Sequence, residues 1–468
     1  MGGEQTYDVV VVGAGLGGLL AAAQFLRRGQ RVLVVERLAH PGGRFTAKTF
    51  QGAQVSTGAV HMLPFGANGE LAGMLRALGM PHPVHDADVF GSFHVRGNQY
   101  VCRSILQLAG VLGVRQFAEL GRIGAAMLLR PPRPEERALS FREWLDRRAS
   151  QRRSPELYAY FERMCHFALS VDLANVSYPE IVEITKNMLR YGPPGIVDGG
   201  CAAMTGELER RVNAGGGEVR LQQDVLGIEH EGAAATGVRV RDRQSGEESV
   251  VRAPLIISNI GPEATRRLTG SGDTPDSAGA VPARPEASGL KVHLLSDRSI
   301  IPHKGIMYCL DTQRIAGIVQ PSNSDRRLAP PGKHLLITHQ ILRGEDMNAE
   351  REAARADLRY LFGEEFGKSV TILTMSQYRG EWPVNRATHG DDVSTRTELA
   401  GLYLVGDAVK PSGYLMVEGV AQSVNSLLDA LDGATAPGHT PAKPSRARAL
   451  HWLVSPPPPS HAGSASRR

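Results

Sequence analysis

The chain has 468 residues, 42 % of them hydrophobic and 22 % charged, an ordinary balance for a globular protein of two or three domains. Its net charge of +5 and pI near 9.0 come without a block of like charges. No nucleic-acid partner is expected, because an anionic cofactor or a membrane surface accounts for that balance equally well. The widely spaced Cys102, Cys165, Cys201 and Cys309 give no C-x-x-C pair, zinc spacing or disulfide ladder. That argues against thiol redox and metal chemistry and fits a reducing cytoplasm. Met1 to Thr6 reads as too short and polar for a signal peptide, and no apolar run reaches the roughly 18 residues of a membrane span.

The first informative stretch runs from Tyr7 to Arg44, YDVVVVGAGLGGLLAAAQFLRRGQRVLVVERLAHPGGR. Val9 to Val12 is too brief for a buried helix and β-branched throughout, so it predicts a buried strand. Gly13 permits the tight turn out of that strand. Gly15, followed by Leu16 and Gly17, lets the backbone approach a pyrophosphate, and Gly18 lets the next helix pack closely on the sheet. This helix is expected over Leu19–Arg28 with a stop at Gly29. Its N-terminal amides and about half a positive charge would face the phosphates. Arg31 to Val35 predicts a second strand, and Glu36 at its end is placed to grip ribose hydroxyls. A strand–helix–strand unit without a ligand has the same local pattern, so the decision rests on the rest of the chain.

After Glu36, RLAHPGGR adds Gly42, Gly43 and Arg44, which suit a second backbone approach and a cation near a diphosphate. This extended fingerprint resembles that of the flavin-dependent amine oxidase and phytoene desaturase superfamily, which implies FAD and not NAD. Gly58, Ala59 and His61 fall where that superfamily brings the chain beneath the isoalloxazine. His61 is there either a proton relay or a polar filler of a pocket.

Glu70 to Gly79 predicts a helix, and Val84 to Val101 short strands. Ser104 to Pro132 predicts an apolar helix pair, either lying on a bilayer with its arginines at the headgroups or forming the interior of a substrate domain. Phe141 to Gln151 predicts a helix capped by Ser140, and Pro155 opens another. Its Tyr158, Tyr160, Phe161 and Phe167 line a cavity for a long substrate or are plain core. Tyr178 to Leu189 is again helical, ended by RYGPPGIVDGG. A helix and strands follow Gly199–Gly200, and Val225 lies in the strand that, in the resembled superfamily, meets the adenine through its backbone. Ile256 and Ile257 predict a buried strand, and Ser271 to Ser288 a flexible linker. Strand patterns between Leu290 and Leu342 predict an antiparallel sheet, with a helix over Ala349–Phe362 and a further strand from Val370. Composition predicts disorder from Gly433 onward.

The second informative stretch is Leu399 to Leu431. A strand over Leu402–Val405 ends at Gly406, whose turn presents Asp407 to a ribityl hydroxyl. The helix over Met416–Leu431, with Val417 in its first turn, would direct backbone amides at the flavin N1–C2=O edge. No Cys or His lies in 406–431, so the FAD is expected to be non-covalent.

The resemblance covers nearly all of residues 7 to 431. It is best to the bacterial-type phytoene desaturase and carotenoid isomerase branch, on IISNIGPEATRRL from Ile256 and LAPPGKHLLI from Leu328. The chain departs from that branch at STGAVHM and at Cys201–Ala202. The fold implied is α/β, a glutathione-reductase-like (Rossmann-type) FAD domain (1–83, 198–270 and 385–432) interrupted by an α+β substrate domain (84–197 and 285–384), with a tail at 433–468. The function implied is dehydrogenation of an apolar, isoprenoid or carotenoid-like substrate by hydride transfer to the flavin, with oxygen or a quinone as acceptor. Location would be cytoplasmic, with peripheral membrane contact left open. No catalytic base is identified; His61 and Tyr414 are the candidates. The alternatives are amine oxidation, for which Lys291 is a distant candidate lysine, redox-neutral polyene isomerisation, and a prenyl-binding escort protein without a working flavin.

Overall fold

A computed structural model describes residues 5–58, 60–270, 287–386, 390 and 393–433. Ala59, the tail after Gly433 and all but the last two residues of the expected linker lie outside them. The fully buried valine-rich runs Val9–Val12 and Val32–Val35 lie inside a five-stranded parallel sheet in the order Glu218–Arg220, Val32–Val35, Val9–Val12, Leu255–Ser258, Leu402–Leu404. Such runs suit a parallel sheet because both of its faces are covered. Helices Leu16–Arg27, Gly200–Ala214 and Met416–Leu431 contribute to the core on one face. Strands Gln223–Glu231, Ala234–Asp242 and Glu248–Arg252 cover the other. In register, Val12 lies opposite Val35 and Ser258. Gly13, Glu36 and Asn259 therefore leave the sheet together at its carboxyl edge, where ligands gather in such folds.

The first helix begins at Leu16, before the expected Leu19, with Gly17 and Gly18 inside its first turn. Glycine is a poor helix former, which is why the residue pattern placed the start too late. Downstream, Gly113 (φ +79°) splits the apolar stretch into Leu108–Leu112 and Val114–Leu128. Ser140 accepts from the Glu143 backbone N–H at 3.2 Å while the Glu143 carboxylate returns to the Ser140 N–H at 2.8 Å, a capping box. That helix ends at Asp146. Pro155 opens Pro155–Ala168 at a first-turn position whose N–H would be unpaired anyway.

A separate seven-stranded sheet runs in the order Val370–Tyr378, Gly289–Ser296, His334–Ile341, Gly317–Val319, Ile306–Cys309, Gly91–Val95, Asn98–Cys102. Its pairs are antiparallel except Ile306–Cys309 beside Gly91–Val95. Gly195–Val197, inside the stretch read as a helix break, forms a small sheet with Met62–Leu63 and Val84–Asp86. Among the described residues, no helix is long and apolar enough to cross a membrane.

Candidate functional site

Segments from both ends of the chain surround a cleft of about 720 Å³ at the carboxyl edge of the parallel sheet. Gly13 (φ +96°) turns the chain out of the first strand, and its N–H donates to the Val35 carbonyl at 2.8 Å. Gly15 caps the following helix without a side chain, and no acid sits in the first turn. The free N–H groups and positive end of that helix are thus left for an anion. A Cβ on Gly15 would stand 2.5 Å from Asn259 Nδ2, and one on Gly17 2.7 Å from Asn259 Oδ1. A Cβ on Gly18 would collide with the Gly13 carbonyl oxygen, so Gly18 sets helix packing and does not line the cleft.

Glu36 is buried and accepts from the Ala14 N–H at 2.7 Å and the Leu38 N–H at 2.8 Å, tying the acid to the glycine turn. The Gly42 N–H donates to the Ala14 carbonyl at 2.7 Å, which lays the second glycine pair against the first. Arg44 holds Asp407 through two hydrogen bonds of 3.0 and 2.5 Å, and Asp407 also accepts from the Arg386 N–H at 2.9 Å. Burial alone would push the Asp407 carboxyl up, but the Arg44 charge and these hydrogen bonds hold it below the usual range. Gly406 (φ +114°) makes the turn, with its N–H on Ser423 Oγ at 2.9 Å.

Gly13, Gly15, Leu16, Gly17, Glu36, Arg37 and Gly43 line this one cleft. Arg44, Gly58, Val225, Gly406, Asp407, Met416 and Val417 do so as well. Two parts of it were not assigned from the sequence. Asn259, quoted within IISNIGPEATRRL without a role, sits between Gly15, Gly17 and Gly406. The segment 380–386 also walls the cleft, and the Arg37 guanidinium lies 5.8 Å from the centre of the Trp382 ring. A tryptophan and proline in an otherwise polar stretch were the available signal.

His61 and Tyr414 line neither the cleft nor the cavity described below. His61 Nε2 pairs with the Gln54 carbonyl at 2.9 Å, and Nδ1 accepts from the Cys201 N–H at 3.2 Å. Burial pushes this ring down to about 4, so it stays neutral with both nitrogens engaged, a pocket filler and not a relay. Tyr414 packs edge-on to Phe65, 6.4 Å between centroids, in a cluster that includes Tyr191.

A second cavity, of about 540 Å³, meets the cleft at Val384, Asn385 and Met416, which line both. Met416 has φ +44°, a strained value for a non-glycine residue, at this junction. Ring contacts run along the cavity wall from Phe167 to Tyr308 (6.0 Å), Tyr308 to Phe93 (5.7 Å), Phe93 to Tyr160 (5.9 Å) and Tyr160 to Phe161 (5.4 Å). Tyr158, by contrast, is core. Helix Val114–Leu128 closes the outer side with Phe117, Leu120 and Met127. Among the described residues no Asp, Glu or Arg lines this cavity. Lys291 does, only 2 % exposed, with its Nζ 4.9 Å from the Tyr378 ring centre. Burial pushes its amine down to about 7. The register around Leu290–Gln340 and His293–Ile337 sets it across from His339, whose Nε2 pairs with Ser170 Oγ at 2.8 Å.

Comparison with known proteins finds the same architecture. Residues 16–423 match the family described as flavin containing amine oxidoreductase. An uncharacterized protein of Methanocaldococcus jannaschii is 32 % identical over 415 residues, 88 % of this chain and 96 % of its own. An oxidoreductase of Methanosarcina mazei of known structure is 33 % identical with a TM-score of 0.81, over 90 % of this chain and 99 % of that one. A phytoene dehydrogenase of Streptomyces griseus is 27 % identical over 399 residues, 71 % of this chain and 72 % of its own.

Proposed function

The chain belongs to the flavin-containing amine oxidoreductase family, and from that premise we propose that it is an FAD-dependent enzyme that dehydrogenates an apolar, isoprenoid-like substrate. The cleft suits FAD because its cradle is backbone where side chains would intrude: Cβ atoms on Gly15 and Gly17 would crowd Asn259, and one on Gly58 would collide with the Arg44 carbonyl. In this reading the uncapped end of helix Leu16–Arg27 holds the diphosphate, Glu36 a ribose, and Asp407 the ribityl chain. The N-terminus of Met416–Leu431 would offer its backbone amides to the bound flavin. Bound FAD supplies the capacity to accept two electrons, as a hydride, from a C–H bond.

The observation that carries the substrate class is the aromatic cavity joined to the cleft at Met416. A flat hydrocarbon would meet ring faces along most of its length, and the site would orient it and exclude water, with no carboxylate to satisfy. The likeness to a phytoene dehydrogenase over 71 % of the chain supports the same class. Amine oxidation is the second reading. Lys291 in the cavity wall favours it, but a substrate ammonium would find no anionic side chain among the described lining residues. Val114 at the start of the helix that closes the cavity, with Leu106 and Leu129 beside that helix, is exposed, and we extend the proposal to uptake of substrate from a lipid surface there. Anaerobic mixing of the flavin-loaded protein with polyenes and, separately, with amines tests the assignment. Bleaching of the flavin's visible absorption by polyenes is expected; bleaching by amines alone sinks it.

A further inference from the structure

We propose that Tyr160 and Tyr308 select a substrate that carries an uncharged oxygen, as an alcohol or a ketone, on its hydrocarbon frame. This deepens the isoprenoid-like reading above and rests on it. Both side chains line the aromatic cavity, and Tyr160 is only 6 % exposed. Neither hydroxyl has a hydrogen-bond partner among the described residues. A buried phenol usually finds one. Nearby tyrosines follow that rule: the Tyr158 hydroxyl donates to Asp146 at 2.7 Å, and the Tyr191 hydroxyl to Glu70. The Tyr178 hydroxyl is also unpartnered, but its ring is stacked on Trp144 at 4.2 Å and lines neither cleft nor cavity. Tyr160 and Tyr308 differ in having a cavity beside them for a ligand to fill.

Their place along the wall says which end of a ligand they meet. Val384, at the junction with the cleft, and His339 both crowd the position of a Cβ on Gly289, so His339 marks the cleft end. From there ring contacts lead to Phe167 (6.2 Å), Tyr308 (6.0 Å), Phe93 (5.7 Å) and Tyr160 (5.9 Å). The two phenols thus flank Phe93, away from the junction. Burial pushes both phenols up, so each keeps its proton at neutral pH and can donate as well as accept. That suits a carbonyl, which accepts, and an alcohol, which does both. A carboxylate or ammonium fits poorly: no Asp, Glu or Arg lines the cavity among the described residues, and the Lys291 amine lies over Tyr378, off this ring path. A plain polyene could slide along a wall of rings, whereas one anchored oxygen fixes its register. Tyr160 and Tyr308 would in this way decide which C–H bond is presented at Met416.

The test measures partition of farnesol and of farnesene, an isoprenoid alcohol and a hydrocarbon of equal carbon count, from a silicone phase into solutions of the purified full-length protein. Wild type is compared with Tyr160→Phe and Tyr308→Phe. Each substitution should weaken farnesol binding by at least about fivefold and leave farnesene binding within about twofold. Equal losses for both ligands, no loss for farnesol (hydroxyls that hold only water), or no binding of either overturns the proposal. Phenylalanine keeps the ring and removes a hydroxyl without a protein partner, so denaturant midpoints should not fall. If a variant does not fold, wild type decides alone through the infrared carbonyl stretch of bound geranylacetone. A shift to lower frequency than in hexane is expected, and an unshifted band overturns the proposal. Flavin absorbance is read on the same samples. Yellow protein that does not discriminate refutes the hydroxyl assignment alone, colourless protein that does refutes the flavin reading alone, and colourless protein that does not refutes both.

Discussion

The glycine-lined cleft and the aromatic cavity touch at three residues but are made of different materials. The cleft is shaped by backbone: Gly13, Gly15, Gly17 and Gly406 bring main chain to where side chains would intrude, and Asn259 fills the space they leave. The cavity is shaped by side chains, with rings from the helices and the seven-stranded sheet meeting at 5 to 6 Å, as at Tyr160–Phe161 (5.4 Å) and Phe167–Tyr308 (6.0 Å). A backbone cradle tolerates almost no substitution and accepts one ligand shape. A wall of side chains can be recut one residue at a time, so cofactor choice is rigid in this architecture while substrate choice is adjustable.

Four substitutions probe that contrast, from large effects to small. Gly18→Ala should cost about 3 kcal/mol and give protein that fails to retain flavin, since the added methyl meets the Gly13 carbonyl; chemical denaturation and absorbance read both. Lys291→Met works in the opposite direction. The unfolded chain keeps the lysine proton between about 7 and 10.5 while the folded chain does not, so wild-type stability rises with pH across that window and is lost as pH falls towards 7. The variant should therefore be more stable by roughly 4 kcal/mol at pH 7, with the gain vanishing near pH 10.5. A pH-independent difference would show that the amine is not held neutral.

Asp407→Asn removes a charge that Arg44 and the Arg386 N–H both address, and should weaken FAD binding by about 2 kcal/mol, or roughly 30-fold, in a fluorescence titration of apoprotein. Its effect on the uptake of apolar ligands should be nil if cleft and cavity are separable. Smallest is Leu129→Ser on the outer side of the cavity, where the residue is 83 % exposed. Stability should change by less than about 0.5 kcal/mol, while flotation with lipid vesicles should fall. Unchanged flotation would detach the cavity from any lipid surface.

The same contrast explains what could be read from the residues. Glycine spacing is a local record of backbone geometry, so the turns at Gly13–Gly18, Gly42–Gly43 and Gly406 were legible in the chain, and the closing helix was placed at Met416–Leu431 as observed. Whether Tyr160, Phe161 and Phe167 face a cavity depends on partners far away in sequence, such as Tyr308, and periodicity alone left that open. His61 and Tyr414 illustrate a different limit. Both are close in sequence to cleft residues, but one ring is clamped by Gln54 and Cys201 and the other is packed on Phe65. Asn259 was within a recognised segment, yet its role exists only once Gly15 and Gly406 meet.

That meeting has a consequence for how the molecule is made. The parallel sheet takes its strands from residues 9–12, 32–35, 218–220, 255–258 and 402–404. At roughly 5–20 residues per second, a ribosome needs about 20 to 80 seconds to pass from the first glycine turn to the last strand. Throughout that interval the nascent chain carries half a cradle, with the Val9–Val12 edge bare until Leu255–Ser258 emerges and its contacts of long sequence separation slow to form. Flavin can act as a late clamp on the assembled sheet but not as an early template for it, and yellow colour marks chains synthesised through Leu431.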